Sequence, residues 1–221
     1  MPSRSTPLTT HETYHIFNKT ISDQAIFSDR RLCERTLKTL WFYQVHQKRL
    51  SFSSYLRLSN ADQQTFQINY THQPKIIDLH CFCLMPNHYH LLLTQQQDHG
   101  ISYFVGTLQN SLAHYHNTKR THKGPLFLPQ FHAVHISSDS QLLHVSRYIH
   151  LNPYTSSMVN SFSDLYTYPW SSLPEYLNPN PNPHLLATNL ISNLIGNPQK
   201  HRQFLEDRAD YQRSLHHIQK Y

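Results

Sequence analysis

Cysteine is scarce: Cys33, Cys81 and Cys83 are the only three in the chain. So low and odd a number excludes a disulfide framework and fits a reducing compartment. Long apolar runs are missing as well. No segment approaches the ~18 consecutive apolar residues that a membrane helix needs. Residues 1–10 are rich in Ser and Thr and have no apolar centre, so no secretory signal is expected and the expected location is the cytoplasm. Charge is also sparse, at 14%, and acids are the scarcer kind: 13 Asp and Glu against 19 Lys and Arg, a formal net charge of +6. That imbalance favours polyanionic partners and offers nothing to a membrane interior. Internal repeats are absent.

What the chain does have is enough apolar and aromatic material for a core, 38% and 12% of its 221 residues, and 19 histidines. Tyr14 to Asn18 reads as a short strand. Ser28 or Asp29 caps a helix to about Lys48, with Leu32, Leu37, Leu40, Trp41 and Val45 as its apolar face. Residues 50–73 read as a polar insertion with one short helix near Asn60 to Asn69. Ile76 to Leu84 is a buried strand, broken at Met85-Pro86-Asn87, and His88 to Leu93 is the next. Ile101, Phe104, Val105, Leu108, Leu112 and Tyr115 recur at helical spacing up to about Lys119. Lys123-Gly124-Pro125 is a turn and Phe131 to Ile136 a strand. Asp139 or Ser140 caps a helix that Asn152-Pro153 should end. Further helices are expected near Leu185 to Ile195 and Pro198 to Ile218. The order β-α-β-β-α-β-α predicts an α+β fold, a split βαβ (ferredoxin-like) antiparallel sheet with helices on one face. The other face is left for a ligand or a crossing helix. The expected division is a catalytic domain over 11–172, a linker over 173–183 and a helical extension over 184–221.

Chemistry concentrates in two places. In His88-Tyr89-His90, strand alternation puts both imidazoles on one face about 7 Å apart, within reach of one metal ion. Cys81 and Cys83 nearby invite a zinc reading, but a strand core with cysteine as a small hydrophobe explains them better. In Arg147-Tyr148-Ile149-His150-Leu151-Asn152-Pro153, Tyr148 and Asn152 share a helix face at i and i+4. A tyrosine hydroxyl can attack phosphorus if a cation offsets the developing charge. Tyr115, on the long helix, reads as packing.

Taken in order, Cys83-Leu84-Met85-Pro86-Asn87-His88-Tyr89-His90-Leu91-Leu92-Leu93, then Gly124-Pro125-Leu126-Phe127, then Arg147 to Pro153 resemble the single-tyrosine HUH (His-hydrophobe-His) transposases. Within them the chain is most similar to the REP-associated tyrosine transposases, relatives of the "IS two hundred" insertion-sequence type. Pro169-Trp170-Ser171-Ser172 agrees too, and Asp210-Tyr211-Gln212-Arg213 more loosely. The resemblance implies metal-dependent cleavage of single-stranded hairpin DNA through a 5′-phosphotyrosine, which a freed 3′-hydroxyl later attacks to rejoin strands. It implies Tyr148 as nucleophile, His88 and His90 as metal ligands with Asn152 as the third, and Mg²⁺ or Mn²⁺ as the ion. Work as a monomer or a homodimer is compatible with it.

For DNA contacts the sequence offers Lys119, Arg120 and Lys123, interspersed with His114, His116 and His122, and Arg147 beside the tyrosine. Arg30, Arg31 and Arg35 form a second basic cluster. Relatives often carry Arg before the Phe of the following strand, where this chain has Gln130. The alternative function is a module that binds structured single-stranded DNA without cutting it.

Overall fold

The computed structural model describes residues 7–47, 50–121, 123–179, 185–207 and 209. Strand β1 (Thr13–Lys19) leads to helix α1 (Arg30–Phe42), then to two short helices, α2 (Phe52–Tyr55) and α3 (Asn60–Thr71). A hairpin of β2 (Ile77–Met85) and β3 (His88–Gln95) follows. Next come α4 (Gly100–Arg120), β4 (His132–Ile136) and α5 (Asp139–Thr155). Helices α6 (Phe162–Tyr166), α7 (Leu173–Leu177), α8 (Asn189–Ile195) and α9 (Pro198–Glu206) complete the described chain. The four strands form one antiparallel sheet in the order β2-β3-β1-β4, the expected split βαβ arrangement.

Strand alternation divides the sheet into two faces. Tyr14, Ile16, Leu91 and Leu93 point to the first, where they pack against Leu32 and Leu40 of α1 and Phe104, Val105, Leu108 and Leu112 of α4. In β2 a bulge between Leu79 and Cys81 shifts the alternation by one residue. Leu79 and Phe82 therefore both reach the first core, while Cys81, Cys83 and Met85 reach the second. There, with Leu92 and Ile136, they meet Leu142, Val145 and Ile149 of α5 and Ile191 of α8. Thus α1 and α4 share one face as expected, and α5 takes the crossing position on the other. Among the described residues no helix is long and apolar enough to cross a membrane.

Several boundaries differ from expectation. Asp29 caps α1 as foreseen, accepting from the Arg31 amide, but the helix stops at Phe42 instead of near Lys48. Beyond it Val45 pairs with Lys75, and the Gln44 carbonyl accepts from the Ile76 amide at 2.7 Å, so this backbone is drawn off to flank β2. Helix α5 begins after Ser138, whose side chain accepts from the Gln141 amide, and runs through Pro153 to Thr155. Proline removes one donor, the partner of the Ile149 carbonyl, and does so in the last turn where the loss is smallest. The turn closes around it: the Ser156 amide and hydroxyl both donate to the Asn152 carbonyl, at 3.0 and 2.7 Å.

Residues 50–73 hold two helices where one was expected. Their Phe52 and Tyr55 are buried in the first core. Helix α8 starts later than expected, and α9 is followed only to Glu206. Residues 180–183 of the expected linker, residue 184 of the expected extension, and 210–213 of the looser motif lie outside the described residues.

Candidate active site

The β2–β3 turn fixes His88 at the first position of β3. The Thr20 amide donates to the Asn87 carbonyl at 2.8 Å and the Phe27 amide to the Pro86 carbonyl at 3.0 Å, pinning the turn to the segment that joins β1 to α1. The Asn87 amide nitrogen donates to Asp23 Oδ1 at 3.0 Å. Its Oδ1 is then the atom that faces His88 Nδ1, 2.7 Å away. An amide oxygen only accepts, so His88 carries its proton on Nδ1 and its lone pair on Nε2.

His90 lies on the same face, its ring centroid 5.0 Å from that of His88. Its Nδ1 is 3.0 Å from Nε2 of His15, on the neighbouring strand β1, and the two rings stack at 5.1 Å. His90 Nε2 is buried with no hydrogen-bond partner. An orphaned buried nitrogen costs free energy, on the order of 1–3 kcal/mol. Burial lowers the His15 pKa to about 4. His90 is held well below the ordinary histidine value, first by burial and then by its neighbours His15 and His88. Both are therefore neutral imidazoles at pH 7, the form that binds metals.

Tyr148 comes to this face from α5. Ile149, next to it, is fully buried in the second core and sets the rotation of the helix, leaving Tyr148 39% exposed. The Tyr148 ring lies edge-on to His90 with centroids 5.4 Å apart, and 6.0 Å from His15. Burial raises the pKa of its hydroxyl, opposed by the Asn152 side chain, so it is a phenol at neutral pH. Asn152, one turn on, is buried and donates from Nδ2 to the Tyr148 carbonyl at 3.0 Å. His150 anchors the helix from below: its Nε2 is 2.8 Å from Ser172 Oγ, which in turn accepts from the Phe82 amide of β2 at 2.9 Å. That contact gives the Trp170-Ser171-Ser172 motif a physical role.

The structure thus gathers His88, His90 and Tyr148, with Asn152 on the same helix as the tyrosine, and adds His15. Nothing in the spacing of His15 announced it; it becomes visible only when β1 pairs with β3. Among the described residues no three His, Cys, Asp or Glu side chains gather as a metal site. Cys81 and Cys83 are fully buried and burial pushes their thiols up, as core cysteines.

The other foreseen residues are spread out. Lys119, Arg120 and Lys123 are exposed at the C-terminal end of α4. Helix α4 packs on the first face, opposite Tyr148, so these cations reach the site only around the hairpin end of the sheet. His122 is outside the described residues. The Arg147 guanidinium lies over the Phe204 ring of α9 at 3.7 Å. Arg35 is buried, over the rings of Phe52 and Tyr115. Tyr115 is thereby occupied with packing, on the opposite face from the histidine pair.

Comparison with known proteins bears on the family and the fold. The family described as "Transposase IS200 like" matches residues 59–152, a stretch holding His88, His90, Tyr148 and Asn152. Over these residues the chain is IS200-transposase-like, and the resemblance drawn from its motifs holds. Its fold is that of the REP-associated tyrosine transposases. A solved structure of one, bound to a REP hairpin, superposes with a TM-score of 0.55 over 85% of this chain and 92% of that one, at 13% identity. A second, described as a transposase from Deinococcus radiodurans R1, is 18% identical over 67% of this chain and 95% of its own, with a TM-score of 0.37. No curated protein matches the chain.

Proposed function

We propose that this chain cleaves and rejoins single-stranded hairpin DNA, with Tyr148 as nucleophile and a divalent ion held by His88, His90 and Asn152. The observation that carries the reading is the approach of Tyr148 to within 5.4 Å, ring to ring, of His90, whose Nε2 is buried and unpartnered. The orphaned nitrogen and the Nδ1-protonated His88 fit a metal bound through two Nε2 atoms. When bound, Mg²⁺ or Mn²⁺ would polarise the scissile phosphate; imidazole donors suit Mn²⁺ better. With a metal on its Nε2, His90 would donate its Nδ1–H to His15 Nε2, which would orient it as the Asn87 amide oxygen orients His88.

In the reaction the Tyr148 oxygen bonds to phosphorus and the phosphorus–O3′ bond breaks. The phenolic proton is lost to solvent and one proton is taken up by the departing 3′-oxygen. The products are a 5′-phosphotyrosine and a free 3′-hydroxyl, which reverses the step on rejoining. The catalytic unit spans 11–172, with 50–73 as an insertion in it, 173–183 as a linker and 184–221 as a C-terminal extension. Lys119, Arg120, Lys123 and Arg147 are the proposed DNA-contacting cations.

The test is incubation of labelled single-stranded hairpins, taken from repeats flanking the protein's own gene, with Mn²⁺ or Mg²⁺, followed by a denaturing gel. A metal-dependent protein–DNA adduct is expected from wild type and from Tyr115→Phe, and none from Tyr148→Phe. Binding without an adduct, across several hairpins and both ions, would instead make the chain a non-cutting module.

A further inference from the structure

Beside the histidine pair, the same sheet face carries an arrangement that cleavage does not use. Strand alternation puts His15, Phe17 and Lys19 of β1 on this face. The register sets Phe17 between His90 of β3 and His132 of β4, and sets Lys19 opposite His88. The Phe17 and His132 rings are stacked, with centroids 4.9 Å apart and planes within 12°. Phe17 is in turn 5.7 Å from His90. Helix α5 packs mainly over β2 and β3, while β4 is the sheet edge. His132 is accordingly exposed, Phe17 half-buried and Val134 44% exposed. Lys19 is exposed and forms no ion pair with a described residue.

We propose that Phe17, His132 and Lys19 form a nucleotide subsite, in which an unpaired DNA base stacks on the Phe17–His132 pair and the Lys19 ammonium contacts the strand's phosphate. This rests on the reading that single-stranded DNA is the substrate. The two flat rings offer a π surface to a third, and only an unstacked base has a free face to meet it. Every base has such a face, so the subsite discriminates single strand from duplex more than one base from another. Its place decides which nucleotide it holds. The platform is one ring away from His90, and Lys19 is paired with His88, so the captured nucleotide adjoins the scissile phosphate. Holding it there would fix that phosphate against Tyr148. A cross-strand aromatic pair with a purely structural role would stabilise the sheet and leave a bound base unaffected.

The test uses single-stranded oligothymidylate with interspersed 2-aminopurines, titrated with full-length protein in a Tyr148→Phe background so that strands stay intact. Binding is expected to quench the 2-aminopurine fluorescence. Phe17→Leu and His132→Ala should each lose most of the quench and about tenfold in affinity, while His132→Phe keeps both. Lys19→Gln should keep the quench and flatten the slope of log affinity against log salt by about 0.7. If Phe17→Leu does not fold, the comparison of His132→Ala with His132→Phe decides. Unchanged quench and affinity in His132→Ala and Phe17→Leu would overturn the subsite. Adduct formation by Tyr148-containing protein is scored separately. An adduct with a ring-independent quench sinks the subsite alone. A ring-dependent quench without any adduct leaves the subsite standing as a binding site and sinks the cleavage reading.

Discussion

His15 and His90, 75 residues apart in sequence, meet at 3.0 Å, Nε2 to Nδ1, with their rings stacked. One proton serves that contact. If His90 holds it, His90 Nε2 is a lone pair ready for a metal; if His15 holds it, His90 Nε2 is protonated and cannot ligate. An ion bound as proposed would select the first arrangement. Replacing His15 by Phe keeps a ring in the stack but removes the acceptor. Mn²⁺ affinity, read by calorimetry without any DNA, should fall about 10- to 100-fold in His15→Phe, and less in His15→Gln. Equal affinity in wild type and His15→Phe would remove His15 from the site's machinery.

Acid should weaken the anchoring of α5. His201 of α9 is buried, with a pKa lowered to about 4 by burial, and His150 is held well below the ordinary value by burial and by His201. Their rings are 5.8 Å apart. An unfolded histidine takes up a proton near pH 6.5, before either folded one does. The stability these groups permit is therefore complete above about pH 6.5, declines as pH falls below it, and for His201 levels off below about pH 4. His201→Gln should reduce the fall in urea-derived stability between those limits by about 3 kcal/mol. An unchanged pH profile would show that the folded protein accepts the His201 proton.

Arg147 separates a structural from a DNA-binding role. Its guanidinium over Phe204 at 3.7 Å ties α5 to α9. If that contact is its main work, Arg147→Ala and Phe204→Leu should each cost about 1 kcal/mol of stability, and neither should alter the salt slope of DNA binding. A shallower slope in Arg147→Ala alone would assign the residue to a phosphate.

Two glycines of α4 give opposite expectations. A Cβ on Gly100 would lie 2.2 Å from the carbonyl oxygen of Ile76, where the helix start meets the backbone just before β2. Gly100→Ala should destabilise the fold by about 3 kcal/mol. At Gly106 a Cβ meets nothing within 4 Å, so Gly106→Ala in the same helix should stabilise by about 0.5–1 kcal/mol. Thermal melts of the two variants should shift in opposite directions.

The sheet and the long helices were legible because their patterning repeats: two-residue alternation in β1 and β3, three-to-four spacing in α4. Helix α2 was not, since four residues are too few to show a period. Nor was the passage of α5 through Pro153, because the rule that proline ends a helix counts one lost donor and ignores where in the helix it falls. In the site, strand alternation put His88 and His90 on one face, but it was the resemblance of the ordered motifs that singled out Tyr148. His15, Phe17, Lys19 and His132 did not stand out, because what unites them is strand pairing, which brings residues from β1, β3 and β4 side by side. The packing of Arg147 on Phe204 was hidden for the same reason, its partner lying 57 positions further on.

Tyr148 and both members of the histidine pair belong to one chain, and that chain's own α9 holds the tyrosine helix in place. On the proposed cleavage reading, strand opening by such a molecule is a unimolecular event once DNA is bound. Turnover per enzyme should then be the same in dilute and in concentrated solution, and a mixture of Tyr148→Phe with a histidine-pair variant should not restore activity.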